Sequence, residues 1–183
     1  MWDLHEPKPV KLIFGILAAD KQCMDAAVEA VRREFGEPDL SSDVWPFTQT
    51  DYYSSQTGGN ILRRFLSIET LVDPGELAAV KHRTNEVERL LAKTLDTGLP
   101  RPVNLDPGIV EPSKLVLATT KNYSHRIYIG DKIYAEVTLM YNRGGWQAMP
   151  YTYSDYRQQR YIGFFERVRR RLMEQLKSRQ TEH

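Results

Sequence analysis

VKLIFGILAA, at residues 10–19, is apolar at every position except Lys11 and carries β-branched residues near its start. An apolar run that does not alternate with polar residues is typical of a strand buried on both faces of its sheet. This segment therefore predicts the central strand of a sheet, and the other elements are placed around it.

Two helices are predicted within the first hundred residues. Asp20 can cap a helix directly after the central strand, and Gly36 can end it. Asp73, Pro74 and Glu76 form a capping box with proline at the first helical position, which predicts the start of a second helix. The residues predicted to face inward from this second helix are Leu77, Val80, Thr84, Val87 and Leu91.

Segments rich in β-branched and aromatic residues predict further strands. Turn-forming residues cluster at 54–59 and at Asp106-Pro107-Gly108, and both segments are interpreted as turns. A Gly-rich aromatic loop, 142–153, leads to a last helix at 154–177, whose apolar residues recur at helical spacing. The predicted strands are 44–53, 61–72, 102–105, 114–121, 126–129 and 133–141.

The order of these elements predicts an α+β fold. The order β-α-β-β-α-β over the first hundred or so residues matches the ferredoxin-like split unit. The later strands would extend an antiparallel sheet as a C-terminal β-hairpin, and the long last helix would pack on it. We expect one domain over residues 1–183, with an N-terminal arm at 1–9 and a frayed tail at 178–183.

The composition is that of a globular protein, with 41% hydrophobic and 27% charged residues and a formal net charge of +1. This charge gives no general attraction to nucleic acid or to a membrane surface, so neither is an expected partner. The single cysteine, Cys23, cannot form an internal disulfide, which favours a reducing compartment. The N-terminus does not resemble a secretion signal, and the apolar run at 12–19 is too short to span a bilayer. We therefore expect a cytoplasmic protein.

The hairpin near residue 130 has a predicted register. A three-residue loop at 130–132 pairs Ile127 with Ala135 and Arg126 with Glu136, which places the aliphatic side chains on one face. A two-residue loop would mix aliphatic and polar side chains. The polar face then consists of Arg126, Tyr128, Tyr134, Glu136 and Thr138.

The residues just before this hairpin are rich in groups able to bind a ligand. Thr119 and Lys121 lie close enough in sequence to join the predicted pair of Arg126 and Glu136. Two interpretations stay open. The polar face is either a solvated surface, where an ion pair contributes about 0–1 kcal/mol, or a pocket in which the charges are buried and paired for a reason.

Asp106 lies beside Arg101 and Asn104 at the end of a short predicted strand. It could be a base, a metal ligand or an acceptor for a ligand hydroxyl, or it could simply cap an Asp-Pro-Gly turn. A histidine side chain suits acid–base chemistry near neutral pH, so His125 is a candidate, although it could equally be hydrogen-bonded at a turn. The spacing of His125, Asp106 and Glu136 does not demand a metal, and no metal site is predicted.

Three further segments have both a functional and a structural interpretation. Lys81, on the second helix, could reach an anion or lie on a solvated flank. Tyr153, before the last helix, could belong to a lid or stacking wall, or seal the edge of the core. Arg167 and Arg169–Arg171, on the last helix, could contact RNA or form a solvated face.

Seven motifs together carry a resemblance to a known family. They are PVKLIFGIL near the start, KHRTNEVE in the second helix, VNLDPG at 103–108, LVLATTK at 115–121, HRIYI at 125–129, YAEVTL at 134–139 and TYSDYR at 152–157. As a set they resemble a bacterial family known only as a domain of unknown function, over nearly the whole chain. Members are sometimes labelled GTP-binding proteins, but this sequence has neither a GxxxxGK[ST] phosphate loop nor an NKxD motif. The resemblance therefore supplies no catalytic residue and no cofactor.

The leading functional hypothesis is a pocket for a small anionic ligand, such as a nucleotide or a phosphorylated metabolite. Lys121 and Arg126 would neutralise the anion, and Glu136 would orient Arg126. Asn104 and Asp106 would bind hydroxyls. Further candidates for ligand binding are Arg101, Lys81, Thr119 and Tyr153.

Three other hypotheses stay open. In the first, the pocket is catalytic, and His125 transfers a proton with Asp106 and Glu136 as further candidates. In the second, the chain is a protein-interaction module without a small-molecule site. In the third, the chain contacts RNA through its basic last helix. The partner surface of an interaction module would contain Tyr52, Tyr53, Trp146 and Tyr151.

Overall fold

A computed structural model describes residues 2–48, 57 and 60–181 of the chain. Over these residues, three helices pack on one antiparallel sheet: α1 (Lys21–Phe35), α2 (Leu77–Thr94) and α3 (Gln159–Thr181). The predicted α+β class, with packed helices and a long last helix, is confirmed. None of the helices in these ranges has the length and apolar character that crossing a bilayer requires.

The sheet has its first strand at its centre. Its spatial order is β2-β4-β1-β5-β6-β8-β7, with β3 paired to β4 and β9 paired to β8. All residues of β1 are buried, as the apolar run predicted. The ferredoxin-like topology and the single-domain organisation stay predictions. The strands are β1 (Val10–Ala18), β2 (Pro38–Ser41), β3 (Trp45–Pro46), β4 (Leu62–Val72), β5 (Val103–Val110), β6 (Lys114–Thr119), β7 (Ile127–Gly130), β8 (Ile133–Asn142) and β9 (Gly145–Ala148).

Apolar cores lie on both faces of the sheet. Phe14 and Ile16 of β1 pack into the core that α1 and α2 cover. Ile13, which precedes Phe14 in sequence, packs with Phe65 of β4 into the core that α3 covers. Alternate side chains of a strand point to opposite faces, so β1 carries apolar side chains towards both cores. Its one charged residue, Lys11, is buried in an ion pair with Asp39.

The predicted starts of the first two helices are confirmed, whereas the last helix begins at Gln159 and not at the predicted residue 154. The Asp20 carboxylate accepts a hydrogen bond of 2.7 Å from the backbone N–H three residues later, and Gly36 ends α1 with a φ of 104°. Asp73 opens the second helix, but its carboxylate accepts from the Gly75 N–H within a 3₁₀ turn, Pro74–Glu76, that precedes α2. Short polar side chains satisfy backbone donors that have no partner within the helix.

Some predicted boundaries were wrong. The strand predicted at 44–53 is replaced over its described residues by the shorter β3, and β2, which precedes it, was not predicted. The rest of that predicted strand and the turn at 54–59, apart from Thr57, lie outside the described residues. The predicted loop at 142–153 contains β9, and α3 continues to Thr181 through part of the predicted tail.

The hairpin of β7 and β8 has the predicted register but a shorter loop. Ile127 pairs with Ala135, as predicted. The loop comprises only residues 131–132, both at positive φ, because Gly130 pairs with Ile133. An irregularity just before Gly130 takes up the extra residue. The three-residue loop was therefore wrong, and a bulge restores the alternation that the sequence requires.

Asp106-Pro107-Gly108 is part of a strand, so the predicted turn was wrong. β5 runs through it, and each of its three residues pairs with a residue of β1. β6 pairs with β5 only from Gly108 onward. Proline has no N–H to donate to a neighbouring strand, and Pro107 lies where this pairing stops. Towards Val103, β5 and β6 therefore lie apart.

We predict that Gly108→Ala destabilises the protein by about 1–3 kcal/mol. A Cβ at this position would lie 2.6 Å from Leu117 Cδ2 and 2.7 Å from the backbone oxygen of Val116. Gly145→Ala is the control, because a Cβ there meets nothing within 4 Å. Urea unfolding measures both, and equal free energies of unfolding for the two variants would contradict the close approach of β5 and β6.

Candidate functional site

The separation of β5 from β6 leaves the backbone of Leu105 without a strand to pair with on that side. Side chains of α2 supply its hydrogen-bond partners instead. Lys81 Nζ donates to the Leu105 oxygen at 2.9 Å, and the Leu105 N–H donates to Glu88 Oε1 at 2.8 Å. Glu88 also accepts from Arg101 Nη2 at 2.6 Å. Lys81 and Glu88 are both buried, so the solvated flank considered for Lys81 was wrong.

A cavity of about 430 Å³ lies at this cleft. It brings together all the residues predicted to bind a ligand, which come from α2, from the loops and from the strands β5 and β6. These residues are Lys81, Arg101, Asn104, Thr119, Lys121, Arg126 and Tyr153. Two of the three catalytic candidates, Asp106 and Glu136, also line the cavity. His125, the third, is not among its described lining residues.

An outer cluster consists of Lys121, Arg126, Glu136 and Tyr153. Arg126 Nε donates to Glu136 Oε2 at 2.8 Å, which confirms the predicted cross-strand pair. Arg126 also donates through Nη2 to the Tyr153 hydroxyl and through Nη1 to the Lys121 backbone oxygen, both at 3.0 Å. The Glu136 side chain is only 3% exposed, so this ion pair is not the solvated surface pair considered above.

His125 contacts the outer cluster from its own loop. Its ring stacks on Tyr151 with centroids 4.1 Å apart, and its Nε2 lies 3.2 Å from Glu136 Oε2. Glu136 Oε2 is therefore shared between His125 and Arg126. The proton-transfer role of His125 stays a prediction.

An inner cluster consists of Arg63, Asp106, Asp155 and Tyr156, all lining the deeper part of the cavity. Arg63 is 3% exposed, and its Nη2 donates to Asp155 Oδ2 at 3.0 Å. Its Nη1 lies 3.9 Å from Asp106 Oδ2, which also accepts from Asn104 Nδ2 at 2.8 Å. Sequence reasoning missed Arg63.

Two features of the sequence explain how Arg63 enters the sheet interior. Gly15 of β1 leaves the room, since a Cβ there would lie 2.9 Å from Arg63 Nη1 and 3.2 Å from the Tyr156 hydroxyl. Rings of Phe47 and Phe65 flank the guanidinium, with centroids 5.0 and 5.3 Å from Cζ. A glycine inside an apolar strand signals such a close approach, and Arg63 alternates in phase with the buried Phe65.

Burial raises the pKa of three acidic groups at or beside the cavity, Asp155, Glu88 and Tyr156. It raises the pKa of Asp155 from 3.8, against the opposing effect of Arg63. It likewise raises the pKa of Glu88 from 4.5, against Lys81 and Arg101. Burial also raises the pKa of Tyr156 well above 10.0, so its phenol stays protonated and can donate a hydrogen bond. Within the described ranges, no group of three or more His, Cys, Asp or Glu side chains is arranged to hold a metal ion.

Comparison with protein families gives one match, in which a family model covers residues 8–172. The chain belongs to the DUF4416 family. Its description is a domain of unknown function, which confirms the resemblance carried by the motifs and names no ligand. No curated protein and no solved structure matches the chain. In this DUF4416 domain, the segments VNLDPG and LVLATTK supply Asn104, Asp106, Thr119 and Lys121 to the cavity.

We predict a pH dependence for Asp155. Because burial raises the pKa of Asp155, the folded state binds this proton more readily than the unfolded chain. Binding of this proton therefore stabilises the folded state most below pH 3.8, the ordinary pKa of an aspartate. The stabilisation is lost as the pH rises through the raised pKa of Asp155 in the folded state. Relative to Asp155→Asn, the wild type should therefore lose stability as the pH rises from 3.8 through this raised pKa.

Urea unfolding at several pH values measures this difference in the free energy of unfolding. Asp96→Asn changes an exposed carboxylate and should follow the wild type over the same range. A wild-type advantage over Asp155→Asn that stays constant or grows with pH would show that burial does not dominate at Asp155.

Proposed function

We propose that this chain binds a small anionic molecule, such as a nucleotide or a phosphorylated metabolite, in the cavity at the cleft between β5 and β6. The observation that carries this proposal is the excess of cations around one cavity, with five cationic side chains and three carboxylates in the lining. The excess persists when Glu88, which lies outside the lining and pairs with Arg101, is counted as a fourth carboxylate. A volume of about 430 Å³ is within the range of small-molecule sites. The cations are Arg63, Lys81, Arg101, Lys121 and Arg126.

The outer cluster is the part best suited to an anion. Lys121 is exposed at the edge of the cavity, beside the hydroxyls of Thr119 and Thr120. Arg126 has five N–H donors, and its bonds to Glu136, Tyr153 and Lys121 use three nitrogens but leave two N–H groups. Those bonds hold the guanidinium in place, and a preorganised cation binds phosphate oxygens without an ordering cost.

Catalysis is not required by this proposal. The catalytic candidates His125, Asp106 and Glu136 stay predictions, and so does a cytoplasmic location. Asp106 has a role in binding as well, because its carboxylate faces the cavity and accepts from Asn104. A carboxylate held in this way can accept a hydrogen bond from a ligand hydroxyl.

An interaction module is the alternative with an observation in its favour. Ile127 and Tyr128, on the edge strand β7, are 70% and 58% exposed, and exposed apolar residues on a sheet edge can bind a partner chain. Of the aromatic residues first considered for this role, Trp146 and Tyr151 are half-buried, and Tyr52 and Tyr53 lie outside the described residues.

RNA contact through the last helix has less support. Arg169 Nε donates to the Pro112 backbone oxygen at 2.7 Å, and Arg171 Nε donates to Asp39 Oδ2 at 3.2 Å. Two arginines of the basic run therefore make hydrogen bonds within the chain. Steep weakening of RNA binding with added salt would be the sign of such contact.

We predict that ethyl phosphate and ATP raise the melting temperature of the wild-type chain by a few degrees at saturating concentration, because only the folded state binds them. Lys121→Met should weaken the binding of ethyl phosphate about tenfold, since it removes one charge-assisted hydrogen bond. Thermal shift screens the ligands, and titration calorimetry gives the dissociation constants.

Lys132→Met is the matched control, because it removes the same charge from an exposed lysine at the tip of the β7–β8 hairpin. It should leave the dissociation constant unchanged. Equal weakening by the two variants would indicate a general charge effect, and no thermal shift with either ligand at millimolar concentration would favour the interaction module.

A further inference from the structure

The inner cluster contains hydrogen-bond donors that the chain does not use. Nε and Nη1 of Arg63 and the hydroxyl of Tyr156 are buried and have no hydrogen-bond partner among the described residues. Burying an unpaired donor is unfavourable, so donors of this kind in a native site call for a partner. Arg126, in contrast, makes hydrogen bonds through three of its nitrogens.

The unused donors are neighbours. Arg63 Nη1 and the Tyr156 hydroxyl both lie beside Gly15 of β1, since they are among the atoms that a Cβ at Gly15 would meet, at 2.9 and 3.2 Å. Both side chains line the cavity, and each is 3% exposed. A ligand that reached the inner cluster would therefore meet two neighbouring donors. Arg63 comes from β4, and Tyr156 comes from the 3₁₀ turn Asp155–Arg157.

The charge of the inner cluster decides which kind of oxygen it can take. One cation, Arg63, stands between two carboxylates, Asp106 and Asp155. A further anionic group would meet repulsion from both carboxylates at short range. A hydroxyl meets none, since its oxygen accepts from Arg63 or Tyr156 while its hydrogen donates to Asp106, whose side chain is 31% exposed.

We infer that the inner cluster binds an uncharged hydroxyl of the ligand while the outer cluster binds its phosphate. The ligand class is then a phosphorylated polyol or sugar, and a phosphorylated acid with a carboxylate at its far end is selected against. This inference rests on the proposed function and deepens it, because it assigns Arg63, Tyr156 and Asp106 to recognition of the uncharged end.

Three probes with a common phosphate test the inference by titration calorimetry. Sorbitol 6-phosphate carries a chain of hydroxyls, 6-phosphogluconate is the same chain with a terminal carboxylate, and ethyl phosphate has neither. We expect sorbitol 6-phosphate to bind about tenfold more tightly than ethyl phosphate, the effect of one or two hydrogen bonds. We expect 6-phosphogluconate to bind more weakly than sorbitol 6-phosphate.

Tyr156→Phe removes one unused donor and should weaken sorbitol 6-phosphate about three- to tenfold while leaving ethyl phosphate unchanged. Tyr134→Phe is the control, because it removes the same hydroxyl from a residue that is not in the described cavity lining. It should leave the affinity for sorbitol 6-phosphate unchanged. Tyr156→Phe should melt at or above the wild-type temperature without ligand, because it loses an unpaired buried hydroxyl.

The outcomes separate the two proposals. If ethyl phosphate binds but Tyr156→Phe has the wild-type affinity for sorbitol 6-phosphate, the inner-cluster inference is overturned and anion binding survives. Tightest binding of 6-phosphogluconate would likewise overturn it, since the inner cluster would then accept a carboxylate. Failure of all three probes to bind at millimolar concentration overturns both proposals.

Discussion

The site depends on two hydrogen bonds of the Leu105 backbone, whose oxygen accepts from Lys81 and whose N–H donates to Glu88. A strand that leaves its neighbour inside a protein carries unpaired N–H and C=O groups, and burying them is unfavourable. Here β6 stops pairing with β5 at Gly108, and α2 supplies one cation and one carboxylate in place of the missing strand. The cleft can therefore stay open within a sheet that is otherwise apolar on both faces.

The open cleft explains why so many polar side chains lie in one place. Around it the sheet is covered by α1 and α2 on one face and by α3 on the other, and both layers are filled with aliphatic and aromatic side chains. Polar groups that reach the cleft must pair with one another or with a ligand. Those of the outer cluster pair with each other, whereas the inner cluster keeps donors unused.

Short-range sequence patterns predicted the elements whose structure is determined by their own residues and close sequence neighbours. The apolar run at 10–19 predicted β1, Asp20 and Asp73 predicted the helix starts, and alternation predicted the pairing of Ile127 with Ala135. Density of charge and hydroxyl groups was enough to choose several of the residues that line the cavity, although not Arg63. That choice needed no knowledge of the strand order, because most of the chosen residues lie in or just beyond the ends of β5, β6 and β7.

Features that depend on distant contacts were not predictable in this way. Asp106-Pro107-Gly108 has the composition of a turn, but pairing with β1 along its length holds it extended. The burial of Arg63 needs Gly15 in another strand and Asp155 some ninety residues away, so its own neighbours in sequence gave little sign of it.

The most direct test of the central claim is an amide chemical-shift titration of the isotope-labelled chain with sorbitol 6-phosphate. If the ligand enters the cleft that Lys81 and Glu88 hold open, the largest saturable shifts should be at Leu105 and at residues 119–121. Shifts confined to the arginines of the last helix, or the absence of any saturable shift, would contradict a binding site at the cleft.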